Sequence, residues 1–180
     1  MRNLLALLLL TLLAGCASNV PEAIRTAPAE APGVAAVRDD PEAYRGQTVR
    51  WGGLIAGVNN RAEYTEFQVV ARRLGSGGRP VTADDRSPGR FLVRVPGFLD
   101  PAIHAEGRLL TVSGLIVGAE ARELGEYLYR YPVVEAVDYH LWPELEPRAP
   151  AYYDPWYDPW WGPYPYPSRH YRPLWYGPCW

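Results

Sequence analysis

Residues that could carry catalysis or bind a metal are few in this 180-residue sequence, and they lie far apart. The three histidines, His104, His140 and His170, have no partner at metal-site spacing. The serines lie in no G-x-S-x-G motif, so a nucleophile elbow is excluded. Two of the carboxylates Glu63, Glu66, Glu123 and Glu126 could pair as acid and base, but solvent-facing strand or turn positions explain them more simply. We therefore predict no enzyme and no metal site.

Cys16 is the one residue whose surroundings indicate a specific reaction. Arg2 precedes an apolar run, Leu4–Leu13, which suits a signal-peptide core but is shorter than the about 20 residues that span a bilayer. The next residues, Ala14-Gly15-Cys16, complete a sequence that resembles the bacterial lipobox. Cleavage then falls between Gly15 and Cys16, and the Cys16 thiol takes up a diacylglycerol. An ordinary secretory peptide with a chance cysteine is the alternative. We predict a signal peptide over residues 1–15 and, as the only cofactor, a covalent lipid on Cys16.

The residue after Cys16 bears on which membrane holds the lipid. Ala17 stands where enterobacterial lipoproteins retained in the inner membrane have Asp. Two or more acyl chains anchor a protein stably, at about 0.8 kcal/mol per buried CH₂. We therefore expect an outer-membrane lipoprotein whose domain faces the periplasm and whose partner is the lipid bilayer.

Charge and cysteine content exclude further classes. The formal net charge is −2, and all 18 basic residues are arginines without a basic run. A nucleic-acid partner is excluded on this ground, because phosphate binding needs clustered basic residues. Two cysteines cannot form a disulfide framework, and acylation of Cys16 leaves Cys179 as a lone thiol.

The two ends of the mature chain differ in composition from its middle. Residues 16–33 are rich in Ala, Pro and Glu, which predicts a flexible, disordered tether after the lipid, and helical character near residues 20–25 stays open. Residues 143–180 contain 10 Pro, 5 Trp and 7 Tyr, which excludes helix interiors and sheet ladders. We predict that residues 150–180 are dispensable for folding and add adhesion to the membrane or envelope, because Trp and Tyr favour the bilayer interface. A polyproline-like tail without that role is the alternative.

Residues 34–142 have the periodicity of a small all-β domain. Alternating apolar and polar residues predict five strands with short helical turns between them. Their expected ranges are 48–58, 64–70, 90–95, 109–117 and 131–139.

A weak internal repeat supports this fold class. Gly46, Gly53 and Ile55 correspond to Gly107, Gly114 and Ile116. Each unit follows an Asp-Pro pair, which favours the start of a short helix. Strand, strand, strand, short helix, strand, strand is the order of an OB-like five-stranded β-barrel. Two unrelated units with the same local sequence preferences would give the same pattern without a duplication.

Trp51 and Arg50 allow two interpretations. A tryptophan beside an arginine on the face of an OB-like barrel could contact a ligand. Alternatively, Trp51 fills the core while Arg50 points to water through strand alternation. The second interpretation is the simpler one, and the first stays open.

Five segments of the chain match the pattern of one known family. They are Val49-Arg50-Trp51-Gly52-Gly53-Leu54-Ile55, Ser87-Pro88-Gly89-Arg90-Phe91, Gly97-Phe98-Leu99-Asp100-Pro101, Gly107-Arg108-Leu109-Leu110-Thr111-Val112-Ser113-Gly114 and Tyr131-Pro132-Val133-Val134. Together they resemble the Slp family of starvation-inducible outer-membrane lipoproteins. The resemblance runs from the lipobox to about Trp142, and residues 143–180 fall outside it. It implies a non-enzymatic protein with a structural or stress-related envelope role, and Cys16 is the only position whose role transfers. The alternative is a periplasmic binding module for a glycan or another envelope ligand, such as an envelope protein.

Overall fold

The computed structural model describes residues 19–83 and 85–144, and it is mostly β. The predicted signal peptide, Cys16 and residues 145–180 lie outside this part. Its elements are helices α1 (Glu22–Arg25) and α2 (Val34–Asp39), 3-10 turns at Glu42–Tyr44 and Ser76–Gly78, and strands β1 (Thr48–Asn60), β2 (Tyr64–Ala71), β3 (Arg90–Pro96), β4 (Leu109–Leu124) and β5 (Tyr127–Leu141). The five strands expected from the sequence are therefore confirmed. The short helix expected after Asp40-Pro41 is present as the 3-10 turn Glu42–Tyr44, whereas the residues after Asp100-Pro101 form turns and no helix.

The strands form one sheet that closes into a barrel in the order β1-β2-β3-β5-β4. Neighbouring strands are antiparallel except β3 and β5, which pair in parallel over three positions. Inside the barrel, Trp51 contacts Phe91 edge-on, with ring centroids 5.3 Å apart. The main core also contains the buried apolar residues Val34, Val37, Val49, Ile55, Phe67, Val69, Val93, Leu110, Val112, Ile116 and Val134.

Strand pairing gives the barrel two ends. At the first, called the loop end, β1 and β3 finish and β4 begins, so the end carries the β1–β2 turn and the loop of residues 97–108. At the second, called the helix end, β1 and β3 begin, and α2 buries Val34 and Val37 in the core. Arg38 of α2 also reaches the Tyr129 hydroxyl near the start of β5, at 3.4 Å.

The loop of residues 97–108 covers the loop end. Leu99 packs on the core, and the buried ring of His104 lies between Phe67 and Tyr139, with centroids 5.6 and 6.0 Å away. The fully buried Thr65 hydroxyl accepts the Leu99 N–H at 2.9 Å and lies 3.0 Å from the Gly97 carbonyl oxygen. The loop backbone is therefore fixed on the barrel.

The internal repeat corresponds to a local two-fold arrangement. β1 and β4 pair antiparallel with Trp51 opposite Val112, and these two positions are equivalent in the repeat. The hydrogen bonds repeat as well: the Gly46 N–H donates to the Ile116 carbonyl at 2.8 Å, and the Gly107 N–H donates to the Ile55 carbonyl at 2.8 Å. Both glycines have positive φ, +79° and +85°, which glycine adopts without strain.

The hairpin of β4 and β5 is longer than the sequence analysis predicted. It continues as an arm, residues 118–130, between the predicted strand limits 117 and 131. A register shift between Ile116 and Gly118, with Gly118 at φ +139°, accompanies this change. Tyr131 is fully buried and clusters with Leu92 and Val133, separately from the main core.

Leu115 and Ile116 are neighbours in β4, but only Ile116 lies in the core. Successive side chains of a strand point to opposite faces, so only one of the two can face the interior. Ile116 is 1% exposed, whereas Leu115 is 41% exposed.

Candidate membrane-anchoring site

The predicted lipidation site, Gly15 and Cys16, lies outside the described residues. The described part of the site is the segment that follows, from Asn19 onward. α1 buries Ile24 completely against Leu109 and Trp142, and Val20 and Leu54 pack on the same group. We call Ile24, Leu109 and Trp142 the terminal patch. Leu109 is the first residue of β4 and Trp142 follows the last residue of β5, so the patch lies beside the loop end.

Arg50 and Gly78 fix α1 in this place. Arg50 Nη1 donates to the carbonyls of Ile24 and Arg25 at 3.0 and 2.7 Å, which satisfies carbonyls that the helix end leaves free. Gly78 has φ +87°, and a Cβ there would lie 2.2 Å from the Ile24 carbonyl oxygen. Only a glycine therefore lets the segment approach so closely.

The prediction of a flexible tether over residues 16–33 does not hold for its described part. Ile24 is buried, Arg50 binds the end of α1, and the Trp51 indole N–H donates to the Pro32 carbonyl at 2.9 Å. The Ala-, Pro- and Glu-rich composition hid this, because one buried isoleucine and several carbonyl hydrogen bonds hold the segment. Within residues 19–33, α1 and Pro32 therefore contact the barrel directly.

Ile24→Ala is expected to lower the free energy of unfolding by about 3 kcal/mol, as for other buried Ile-to-Ala changes. Glu22→Ala, one α1 position that is exposed, is the matched control and should change stability little. Thermal unfolding of the mature chain without lipid measures both. Equal melting temperatures for the two variants would mean that α1 does not stabilise the barrel.

The simpler interpretation agrees with the structure for Trp51 but not for Arg50. Trp51 is 7% exposed and belongs to the core. Arg50 does not point freely to water, because its guanidinium binds α1. An open groove of about 310 Å³ runs past both residues, beside Val34 and Leu74. A ligand contact in this groove stays a prediction.

The last described residues leave the barrel at the terminal patch. The Trp142 indole N–H donates to the Thr111 hydroxyl at 2.9 Å, and that hydroxyl donates to the Gly78 carbonyl at 2.8 Å. Arg108 Nη2 donates to the Trp142 carbonyl at 3.0 Å, and Arg79 Nη2 donates to the Pro143 carbonyl at 2.9 Å. The segment after Cys16 and the start of residues 143–180, which we call the aromatic tail, are therefore held by the same small region.

The histidines within the described ranges have structural surroundings. His104 Nδ1 lies 3.2 Å from the Asp100 carbonyl oxygen inside the loop-end cover. His140 contacts the Trp142 ring at 4.5 Å, and burial together with the charge of Arg79 lowers its pKa. Over residues 19–83 and 85–144, no three His, Cys, Asp or Glu side chains converge as a metal site would require. His170 and Cys179 lie outside those ranges.

Sequence reasoning missed an ion network between β2, β3 and the arm. The Glu66 carboxylate, 2% exposed, binds Arg122 at 2.6 and 2.9 Å and Arg94 at 3.3 Å. Glu120 binds both arginines as well. Burial raises the pKa of Glu66, but the hydrogen bonds and charges of Arg122 and Arg94 outweigh it, so the net pKa is lowered. The network keeps all four groups charged and ties the arm to the barrel.

One further observation concerns the membrane itself. Among the helices in the described part of the chain, none has the length and apolar character that crossing a bilayer requires.

Sequence comparisons identify relatives of the chain. It is 36% identical over 132 residues to "Uncharacterized lipoprotein YeaY" of Escherichia coli strain K12, which covers 73% of this chain and 67% of that protein. It is 30% identical over 143 residues to "Outer membrane protein Slp" of the same strain, covering 78% of this chain and 74% of that protein. A Haemophilus influenzae protein is 33% identical over 96 residues, 53% of this chain and 52% of its own length.

The family profile described as "Outer membrane lipoprotein Slp family" matches residues 13–171. The match begins at Leu13, the first residue of the lipobox-like sequence, so the predicted lipidation motif lies inside it. It also ends well beyond Trp142, so the expectation that residues 143–180 fall outside the family is wrong as far as residue 171. A match over most of the sequence leads to one conclusion: the chain belongs to the Slp family of outer-membrane lipoproteins.

Proposed function

We propose that this protein is a lipid-anchored, non-enzymatic component of the outer membrane, held through Cys16 with its barrel on the periplasmic side. The observation that carries the proposal is the sequence Leu13-Ala14-Gly15-Cys16 at the start of the family match. A structural role in the envelope, linked to stress or starvation as the family resemblance implies, is part of the proposal. The aromatic tail is proposed to add adhesion to the same membrane.

Three described side chains with catalytic potential support a non-enzymatic role, because each has a structural use. Glu66 is held by two arginines, and Ser87 donates to the Ala71 carbonyl at 2.8 Å. The buried His104 packs between two aromatic rings. None of these groups is left available to a substrate in the way that acid–base or nucleophilic catalysis requires.

We also infer that the barrel is OB-like. The strand order β1-β2-β3-β5-β4 and the parallel β3–β5 pair are the features that support this inference. A fold alone implies no ligand.

Cys16→Ser removes the thiol that receives the lipid. The variant is expected to stay unprocessed or to leave the membrane, since neither diacylglycerol transfer nor the following cleavage can occur. Membrane fractionation, electrophoretic size and incorporation of a labelled fatty acid measure the effect. Cys179→Ser is the matched control and should keep wild-type size, label and location. A Cys16→Ser protein of mature size in the outer membrane would refute the anchor.

A further inference from the structure

We propose that the barrel rests on the bilayer through its loop end, with Phe98 and Ile103 in the lipid headgroup region. The inference rests on the proposed function, because it takes the lipid on Cys16 as given. It adds which surface meets the membrane and which side chains make the contact.

The short connection between the lipid and the folded domain is the first argument. Asn19 is described and lies three residues after Cys16. Consecutive Cα atoms are about 3.8 Å apart, so Cys16 lies within about 11 Å of Asn19. Val20 already packs on the terminal patch beside the loop end. The barrel therefore cannot stand far from the bilayer.

The exposed apolar side chains of the loop end are the second argument. Phe98 is 72% exposed and Ile103 is 57% exposed. Thr65 binds the backbone on both sides of Phe98, and Arg108 Nη1 donates to the Ile103 carbonyl at 3.0 Å. Both side chains are thus presented by fixed backbone, so little conformational entropy is lost when they enter a lipid surface.

Arg108 links this surface to the chain ends. The same guanidinium that binds the Ile103 carbonyl also binds the Trp142 carbonyl in the terminal patch, at 3.0 Å. The exposed loop, the segment after Cys16 and the point where the chain continues to the aromatic tail are therefore neighbours.

The helix end exposes a second apolar pair. The short connection to Cys16 distinguishes which of the two ends meets the membrane. Tyr127 and Leu128 are 69% and 66% exposed, beside an open groove of about 660 Å³ that they line with Arg38 and Asp39 of α2. β3 runs between the two ends over seven residues, about 23 Å of strand. The reach of about 11 Å from Asn19 favours the loop end.

Charges at the loop end are mixed, with Arg61 and Arg108 near Glu63, Asp100 and Glu106 in the sequence. Electrostatic attraction to anionic lipid therefore contributes little, and burial of apolar area is the driving force. We expect the contact to depend weakly on the fraction of anionic lipid.

The test uses the full lipidated protein in phosphatidylethanolamine–phosphatidylglycerol liposomes, in a Cys179→Ser background. Phe98→Cys, Ile103→Cys and, as the matched exposed control, Tyr127→Cys each carry a nitrobenzoxadiazole label. Lipids with a nitroxide at the headgroup or the upper acyl chain act as quenchers. We expect loss of most fluorescence at positions 98 and 103, a blue shift there, and little change at 127.

Two results would overturn the orientation: quenching at 127 equal to or above that at 98, or no quenching at either position while the protein floats with the liposomes. Flotation itself reports on the anchor, since loss of flotation in the lipid-bearing protein would refute the proposed function instead. Varying the phosphatidylglycerol fraction completes the test. Contact that disappears without anionic lipid would also contradict the proposal.

Discussion

Gly53→Ala is expected to unfold the domain, with a loss of at least about 4 kcal/mol in the free energy of unfolding. A Cβ at this position would lie 1.9 Å from the Val70 carbonyl oxygen and 2.7 Å from its carbon. Those atoms belong to the backbone of β2, so no side-chain rotation relieves the overlap. The neighbouring strand would have to move, which would break the β1–β2 ladder.

The equivalent position of the repeat, Gly114, should behave in the same way. Its added Cβ would lie 2.1 Å from the Glu135 carbonyl oxygen on β5. Gly57→Ala is the matched control, because it lies in β1 and its nearest neighbours are atoms of Gln68 at 3.7 Å. Circular dichroism melts of the mature chain without lipid compare the three variants. Melting of Gly53→Ala close to that of Gly57→Ala would contradict the close approach of β1 and β2.

Glu66→Gln is expected to cost about 3 kcal/mol at pH 7, near the lower limit for breaking a buried ion pair. Arg94 and Arg122 would lose their most buried partner and keep only Glu120. The loss stays at the lower limit because both arginines are partly exposed, 23% and 33%, and water screens them.

The same variant should flatten the dependence of stability on pH. The pKa of Glu66 is lowered in the folded protein, so its contribution is present above the carboxyl's usual pKa, about 4.3, and disappears as the pH falls through the lowered value. Glu120 has a lowered pKa and acts in the same direction. We expect the difference between wild type and Glu66→Gln to shrink below about pH 4.

Urea unfolding between pH 3 and pH 7 measures both effects of Glu66→Gln. Glu123→Gln is the control, because Glu123 is an exposed residue of the same arm. If the two variants had equal stability at pH 7, the network would not tie the arm to the barrel.

Much of the barrel could be predicted from the sequence because its signals are local. Apolar and polar residues alternate in Tyr64–Ala71 and Arg90–Pro96 because one face of each strand points into the barrel and the other points outward. The repeated glycines, Gly53 and Gly114, mark places where another strand passes too close for a Cβ. Local pattern and global fold therefore agree at these positions.

What escaped prediction depends on distant segments. Glu66 has the sequence context of a solvent-facing strand residue, and only the arm, more than 50 residues later, covers it. Ile24 stands in a tether-like composition, and its partners Leu109 and Trp142 come from the far half of the chain. The pattern of apolar and polar residues in a short segment does not show that a distant segment will bury one of them. The prediction for Cys16, in contrast, rests on a motif of adjacent residues and needs no distant segment.

The terminal patch has a mechanical consequence. Val20, near one end of the described chain, packs on the patch, and Trp142, near the other end, is a member of it, so a pull between the lipid and the last part of the chain would load this patch first. The strand ladders lie outside that short path and would carry force only after α1 or Trp142 had peeled away. A protein fixed to a moving membrane at one end could in this way yield locally while its barrel stays folded.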